Sequence, residues 1–273
     1  MMSQAKDTLP DVPGLLLKDI AEHQVKAKIV STVAGVLAGM EELANQAIGL
    51  GLAVRVIYPT GAHIAPGSAV AFFEGNPRQI VRGEDCLLGI ISKMSGIATA
   101  ARQAVMLAGK VQVVSGGWKK VPGEMKEYVR QGLMAGGAAL RMLPDPFIYL
   151  DKNYLRLLGS IEREIKAARI LPERRIVVQL LGETAEIGEE AVLAARLGAS
   201  VIMVDTGAIE DLRECSRSLI QTGLRDKVKL AYGGGVQLMD LPRLQKEDLD
   251  IVDVGRAILD APLLDFRYDV ISK

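Results

Sequence analysis

Two glycine corners near the end of the chain have the residue types and spacing to do phosphate chemistry. Lys229-Leu230-Ala231-Tyr232 reads as a strand running into Gly233, Gly234 and Gly235, and Ile251-Val252-Asp253-Val254 reads as another running into Gly255 and Arg256. A glycine corner between a strand and a helix lets bare backbone N–H groups converge on an anion at the positive end of the helix. In (β/α) barrels the last two strand-to-helix loops are the usual phosphate cup. Such a corner also serves simply to turn a strand into a helix. The paired arrangement, with Arg256 beside the second corner, favours phosphate.

Composition narrows the rest. With 273 residues and 49% hydrophobic content, the chain can bury a sizeable core as one barrel or two modest domains. Lys plus Arg and Asp plus Glu stand at 33 each, so no net field draws in nucleic acid or acidic lipid, and an anion must be attracted locally. Cys86 and Cys215 are far apart and form no C-x-x-C pair, which fits a reducing compartment and two small core residues rather than structural zinc. With His23 and His63 the only imidazoles, a histidine-rich metal site or a Ser-His-Asp triad is disfavoured. The sequence shows no basic-then-apolar leader and no membrane-length apolar run, so a cytoplasmic protein is expected.

The elements that must position the corners form two sets. Residues 1–13 read as a loose arm. A small α+β domain is expected over residues 1–110, with strands near 25–30, 52–57 and 70–75 and a helix at 41–49. A long, nearly charge-free helix over 87–108 carries Ser95-Gly96-Ile97-Ala98-Thr99-Ala100, small residues that let another helix approach closely. Over 111–262 strands and helices alternate. Strands are expected at 111–114, 138–142, 147–150, 175–181, 200–204, 228–232 and 249–254, with helices such as 183–197 and 209–222 between them. Continuous runs such as Ile176-Val177-Val178 and Val201-Ile202-Met203-Val204 are typical of strands covered on both faces. The fold class is therefore α/β, an open TIM-like barrel of about six or seven strands. The alternating tail, 263–273, is expected to return to the first domain's sheet.

The blocks Ser95-Gly96-Ile97-Ala98-Thr99, Lys119-Lys120-Val121-Pro122-Gly123, Gly136-Gly137 with Arg141, Ile202-Met203-Val204-Asp205, the glycine triplet, Val254-Gly255 and Leu264-Asp265 occur in an order that resembles the quinolinate phosphoribosyltransferase family. The resemblance covers nearly the whole chain. It implies transfer of phosphoribose from phosphoribosyl pyrophosphate to a nitrogen heterocycle, assisted by Mg²⁺, in a homodimer or higher homo-oligomer with a shared active site. This chain departs from the family pattern at several positions. Trp118 stands where the family has an arginine before its lysine, Leu140 replaces a histidine before Arg141, and Asp151-Lys152 inverts a lysine–aspartate pair. Asp85 falls on an arginine position and Gln179 on a strand glutamate. These departures imply a divergent paralogue with an altered base pocket lined by Trp118, Leu140, Asp151, Lys152 and Gln179, in which Trp118 offers a stacking face.

Phosphoribosyl transfer passes through an oxocarbenium-like sugar with pyrophosphate leaving, so the site must hold the 5′-phosphate, neutralise the pyrophosphate and place the ring nitrogen. Under the resemblance, Gly233, Gly234, Gly235, Gly255 and Arg256 take the 5′-phosphate. Lys119 and Arg141, with Lys120 or Lys152 and Mg²⁺, take the pyrophosphate. Asp205, at the end of an expected strand, serves the ribose hydroxyls or the metal. Each has a plainer reading: Lys119 and Lys120 as a solvated pair, Arg141 paired with Asp145, and Asp205 as a helix cap. A non-catalytic phosphate- or nucleotide-binding paralogue is the alternative function. An unrelated aldolase or isomerase barrel is a third reading, disfavoured by the pattern of the first domain.

Overall fold

The computed structural model describes residues 11–272, so most of the expected N-terminal arm lies outside the described residues. The chain divides into two compact units, one formed by the residues up to Gly96 with those from Pro262 onward, the other by Ile97–Ala261.

The first unit begins with a short helix α1 (Val12–Leu16), followed by strand β1 (Val25–Ser31), β2 (Gly35–Val36), helix α2 (Met40–Gly49), β3 (Ala53–Val56), β4 (His63–Ile64) and β5 (Ala69–Gly75). Alternation along β1 buries Val25, Ala27 and Ile29 and leaves Lys26 exposed, while α2 buries Met40, Leu43 and Ala47 at helical spacing. Helix α3 (Pro77–Ala108) runs for 32 residues, starting ten residues before the expected position 87.

The second unit continues with β6 (Gln112–Val114), α4 (Lys126–Gly136), β7 (Phe147–Leu150), α5 (Lys152–Leu158), α6 (Ile161–Ala168), β8 (Arg175–Leu180), α7 (Ile187–Arg196), β9 (Val201–Val204), α8 (Ile209–Gln221), β10 (Lys229–Tyr232), α9 (Leu241–Leu244), β11 (Ile251–Asp253) and α10 (Arg256–Leu259). Its six strands lie in the order β6-β11-β10-β9-β8-β7, all pairs parallel. The order is cyclic except between β6 and β7, which defines an open barrel. The strand expected at 138–142 is not formed. Only Ala139 makes an isolated parallel bridge, to Val114. Gly137, at φ +90°, turns the chain sharply out of α4, and Met142 and Leu143 then fold into the barrel interior.

Both sheet faces are dry, which explains the unbroken Val/Ile runs. Val177, Val201, Met203, Ala231 and Ile251 point inward, while Ile176, Val178, Ile202, Leu230 and Val252 face the helices. The small-residue stretch of α3 is used within this unit: a side chain at Gly136 of α4 would collide with Ala98 and Ala101. Cys215 sits in the outer core, fully buried.

Past α10 the chain re-enters the first unit as β12 (Phe266–Ser272), antiparallel to β1, in a sheet ordered β12-β1-β5-β3. Phe266 and Tyr268 join the core of that sheet, and Tyr268 stacks on Phe73 at 5.6 Å.

Candidate active site

The inward period-two register of the barrel determines which side chains meet at the C-terminal ends of its strands. Continuing the inward rows Phe147–Tyr149, Val177–Gln179, Val201–Met203–Asp205, Ala231–Gly233 and Ile251–Asp253 brings Tyr149, Gln179, Asp205, Gly233 and Asp253 to the mouth. Gln179 donates from Nε2 to Asp205 Oδ2 at 2.5 Å, and its Oε1 accepts the backbone N–H of Lys152 at 2.9 Å. Both ends of the amide are thereby engaged, which aims the Asp205 carboxylate. A side chain at Gly233 would crowd Met203 and lie 3.0 Å from Asp205 Oδ1, so glycine keeps the space beside that carboxylate open.

Three lysines stand over this floor. Lys119 Nζ lies 5.3 Å from the centre of the Tyr149 ring, reaching from the loop after β6 toward β7, and Lys120 and Lys152 act on Asp205 through their charges. Burial raises the Asp205 carboxyl above its ordinary range, against the opposing pull of Gln179, Lys152 and Lys120. Asp253 is raised as well, chiefly by burial and further by Asp205, while the Gly116 N–H, Lys119 and Lys120 oppose the shift. The Tyr149 hydroxyl is pushed far up by burial and by Asp205, Asp253 and Asp151, so it stays protonated.

The structure separates the remaining sequence candidates. Trp118 packs against the outer core with the Arg130 guanidinium 4.1 Å from its ring centre, and Lys119 Nζ lies 6.0 Å from the same ring, which keeps Trp118 at the edge of the mouth. Leu140 packs against the same outer core. Arg141 is exposed, and its carbonyl accepts from the side chain of Gln112, the first residue of β6, at the opposite end of that strand from the mouth. Its suggested partner Asp145 pairs with Arg175 instead. Asp151 caps α5, accepting from the backbone N–H groups of Asn153 and Tyr154. Asp205 caps no helix; α8 starts after Ala208 without a side-chain cap.

The glycine corners also separate. Gly207 donates to the Gly233 carbonyl, and Gly234 and Gly235, both at positive φ, open on a cleft of about 320 Å³ shared with Gly207, Tyr232 and Arg243. Gly255 instead approaches the loop after β6, and exposed Arg256 pairs with Asp260. The helices that follow the two corners, α9 and α10, are four residues each. Tyr149 and Asp253 were missing from the sequence candidates, although the inward alternation of their strands was a usable signal for both.

Comparison with known proteins fits this geometry. Residues 97–269 match the model described as quinolinate phosphoribosyl transferase, C-terminal domain, and residues 11–95 match the corresponding N-terminal domain. The chain belongs to the quinolinate phosphoribosyltransferase family. Among its relatives in that family, an Archaeoglobus fulgidus protein named "Probable nicotinate-nucleotide pyrophosphorylase [carboxylating]" is 31% identical over 96% of this chain and 98% of its own length. The human nicotinate-nucleotide pyrophosphorylase [carboxylating] is 29% identical over 88% of this chain and 80% of its own. The crystal structure of nicotinate-nucleotide pyrophosphorylase from Pyrococcus furiosus shares the fold with a TM-score of 0.81 at 24% identity, over 99% of this chain and 79% of that one. That of NadC from Streptococcus pyogenes does so at 0.79 and 20%, over 92% and 88%. The alternative of a non-catalytic paralogue gains no support from these relatives. Among the described residues, no helix is long and apolar enough to cross a membrane.

Proposed function

We propose that this protein transfers phosphoribose from phosphoribosyl pyrophosphate to the ring nitrogen of quinolinate, releasing pyrophosphate and, from the ring position beside that nitrogen, carbon dioxide, and forming nicotinate mononucleotide. The observation that carries this reading is the convergence of Lys119, Lys120 and Lys152 over Asp205 and Gln179 at the barrel mouth, in a chain of this family. The polyanionic leaving group requires clustered cations that do not have to reorganise as charge develops, and the lysines supply them. Asp205, oriented by Gln179, faces the ribose hydroxyls and stabilises positive charge on the sugar. Lys119 and Lys120 hold the pyrophosphate, and the Gly234–Gly235 corner, open on its cleft, holds the 5′-phosphate through backbone N–H groups.

Mg²⁺ fits the donor set: Asp205 is a hard oxygen ligand with one oxygen beside the space that Gly233 leaves open. When bound, the ion neutralises phosphate charge, and Asp205 is the residue that would hold it. We further propose a cytoplasmic homodimer, which light scattering after gel filtration would report as twice the chain mass.

The test is to incubate the protein with phosphoribosyl pyrophosphate, Mg²⁺ and quinolinate, or with neutral and cationic pyridines, and follow pyrophosphate release and nucleotide formation. Lys119→Met is expected to lower kcat/KM by about a hundredfold, ~2.7 kcal/mol of transition-state stabilisation. Absence of pyrophosphate release with every acceptor would refute the reading. Faster turnover of a neutral pyridine than of quinolinate would instead establish the altered acceptor that the sequence departures imply.

A further inference from the structure

We infer that Asp253 is a positioning residue that sets where Lys119 stands, acting through the peptide of Gly116. The inference concerns the site of the proposed transferase and rests on that reading for its catalytic meaning only. Asp253 Oδ1 accepts the Gly116 N–H at 3.1 Å, and the Gly116 carbonyl accepts the Lys119 N–H at 3.1 Å. A continuous hydrogen-bonded path therefore runs from the last residue of β11 to the backbone of the lysine that spans the mouth.

The surroundings leave the loop little freedom apart from this tether. Val254 donates to the Val114 carbonyl at 2.9 Å, which fixes β11 beside β6 immediately below the loop. Gly117 is buried, and a Cβ there would lie 3.3 Å from the Gly255 carbonyl, so the loops after β6 and β11 are in close contact. Within residues 117–120, the Trp118 ring lies between Arg130, 4.1 Å from its centre, and Lys119 Nζ, 6.0 Å from it, and Lys119 reaches Tyr149 across the seam where β6 and β7 do not pair. On the β7 side the pairing stops at Ser115, whose N–H donates to the Ala139 carbonyl at 3.1 Å, so from Gly116 onward the β11 side holds the loop. An aspartate does so with a charge-assisted bond, stronger than a neutral one.

A carboxylate this close to Lys119 and Lys120 also weakens the pull of the lysines on an anion, so the two effects of Asp253 oppose each other. Charge alone predicts that any neutral replacement tightens pyrophosphate binding. The tether predicts that only a replacement retaining the acceptor keeps it. Calorimetric titration of the full chain with inorganic pyrophosphate separates them. Asp253→Asn, whose amide oxygen still accepts from Gly116, is expected to bind as tightly as the native protein or more so. Asp253→Ala is expected to bind about tenfold more weakly, the equivalent of one hydrogen bond at ~1.4 kcal/mol. In turnover the alanine variant should raise KM for phosphoribosyl pyrophosphate and lower kcat, with the asparagine variant restoring both toward native values.

Hydrogen exchange at the Gly116 amide supplies a readout independent of activity: the amide should be protected in the native protein, whatever the variants do, and in Asp253→Asn. Equal or tighter pyrophosphate binding in both variants, or an unprotected Gly116 amide, would overturn the inference. Loss of all turnover with the amide protected and the two variants still split in pyrophosphate affinity would defeat the proposed function and leave the tether standing.

Discussion

Glu164 offers a sharp test of the energetics of this fold. It sits on α6 with no exposed surface, and neither carboxyl oxygen has a hydrogen-bond partner among the described residues. Glu190 of α7 and Asp151 at the start of α5 face it with like charge, and Glu190 itself is occupied by the backbone N–H groups of Gly182, Thr184 and Ala185. Burial first, and then these neighbours, push the Glu164 carboxyl from 4.5 to about 8. Below the ordinary value both folded and unfolded chains carry the proton, and its contribution to stability is complete. As pH rises the unfolded chain ionises first, and stability falls until the folded carboxyl has also titrated. At ~1.4 kcal/mol per pH unit the ceiling is about 5 kcal/mol. Local relaxation and water penetration around the buried charge reduce it to about 2 kcal/mol. Glu164→Met keeps the length of the side chain and removes the titration. Urea unfolding at pH 5, 7 and 8.5 should therefore show the variant gaining on the native protein by about 2 kcal/mol across the series. A stability difference that stays constant over the three pH values would refute the reasoning.

Three further outcomes follow from the same structure. Gly234→Ala forces a side chain into positive φ and against the backbone of Gly207, so a loss of about 2–4 kcal/mol in unfolding free energy is expected by urea titration. Arg225 makes ion pairs with both Asp248 and Asp250 and donates to the Val228 carbonyl while largely buried. Arg225→Ala should lower stability by about 2–3 kcal/mol at pH 7, measured in the same way. Cys215 is fully buried, with its thiol pushed up to about 12 by burial, whereas Cys86 is partly exposed. A thiol reagent applied to the native protein should modify Cys86 well before Cys215, as mass spectrometry of tryptic peptides would show.

Much of this molecule was legible in the chain itself. Val/Ile runs buried on two faces identified β8 and β9, and helical spacing identified α2 and α8, because these patterns follow from backbone geometry alone. The run at 138–142 misled because its apolar residues are divided between the two cores, Ala138 and Leu140 in the outer one and Met142 in the barrel interior, and a strand and a folded-in loop bury the same residues. Family order pointed to Lys119 and Asp205, and both stand at the mouth. Arg141 is adjacent to the right motif, yet it is exposed and its carbonyl meets Gln112 at the far end of β6, since sequence proximity does not determine the direction of a side chain in a loop.

The sequence by itself determined the strand–helix alternation, the open parallel barrel and the family, since each depends on local periodicity or on the order of motifs along the chain. Only the tertiary structure decided the membership of the site. The cyclic strand order places residues more than a hundred positions apart, such as Gly116 and Asp253, within one hydrogen bond. Strand register then turned Tyr149, Gln179, Asp205 and Asp253 inward together. Those contacts arise from closure of the sheet, a physical constraint that no stretch of the chain carries alone.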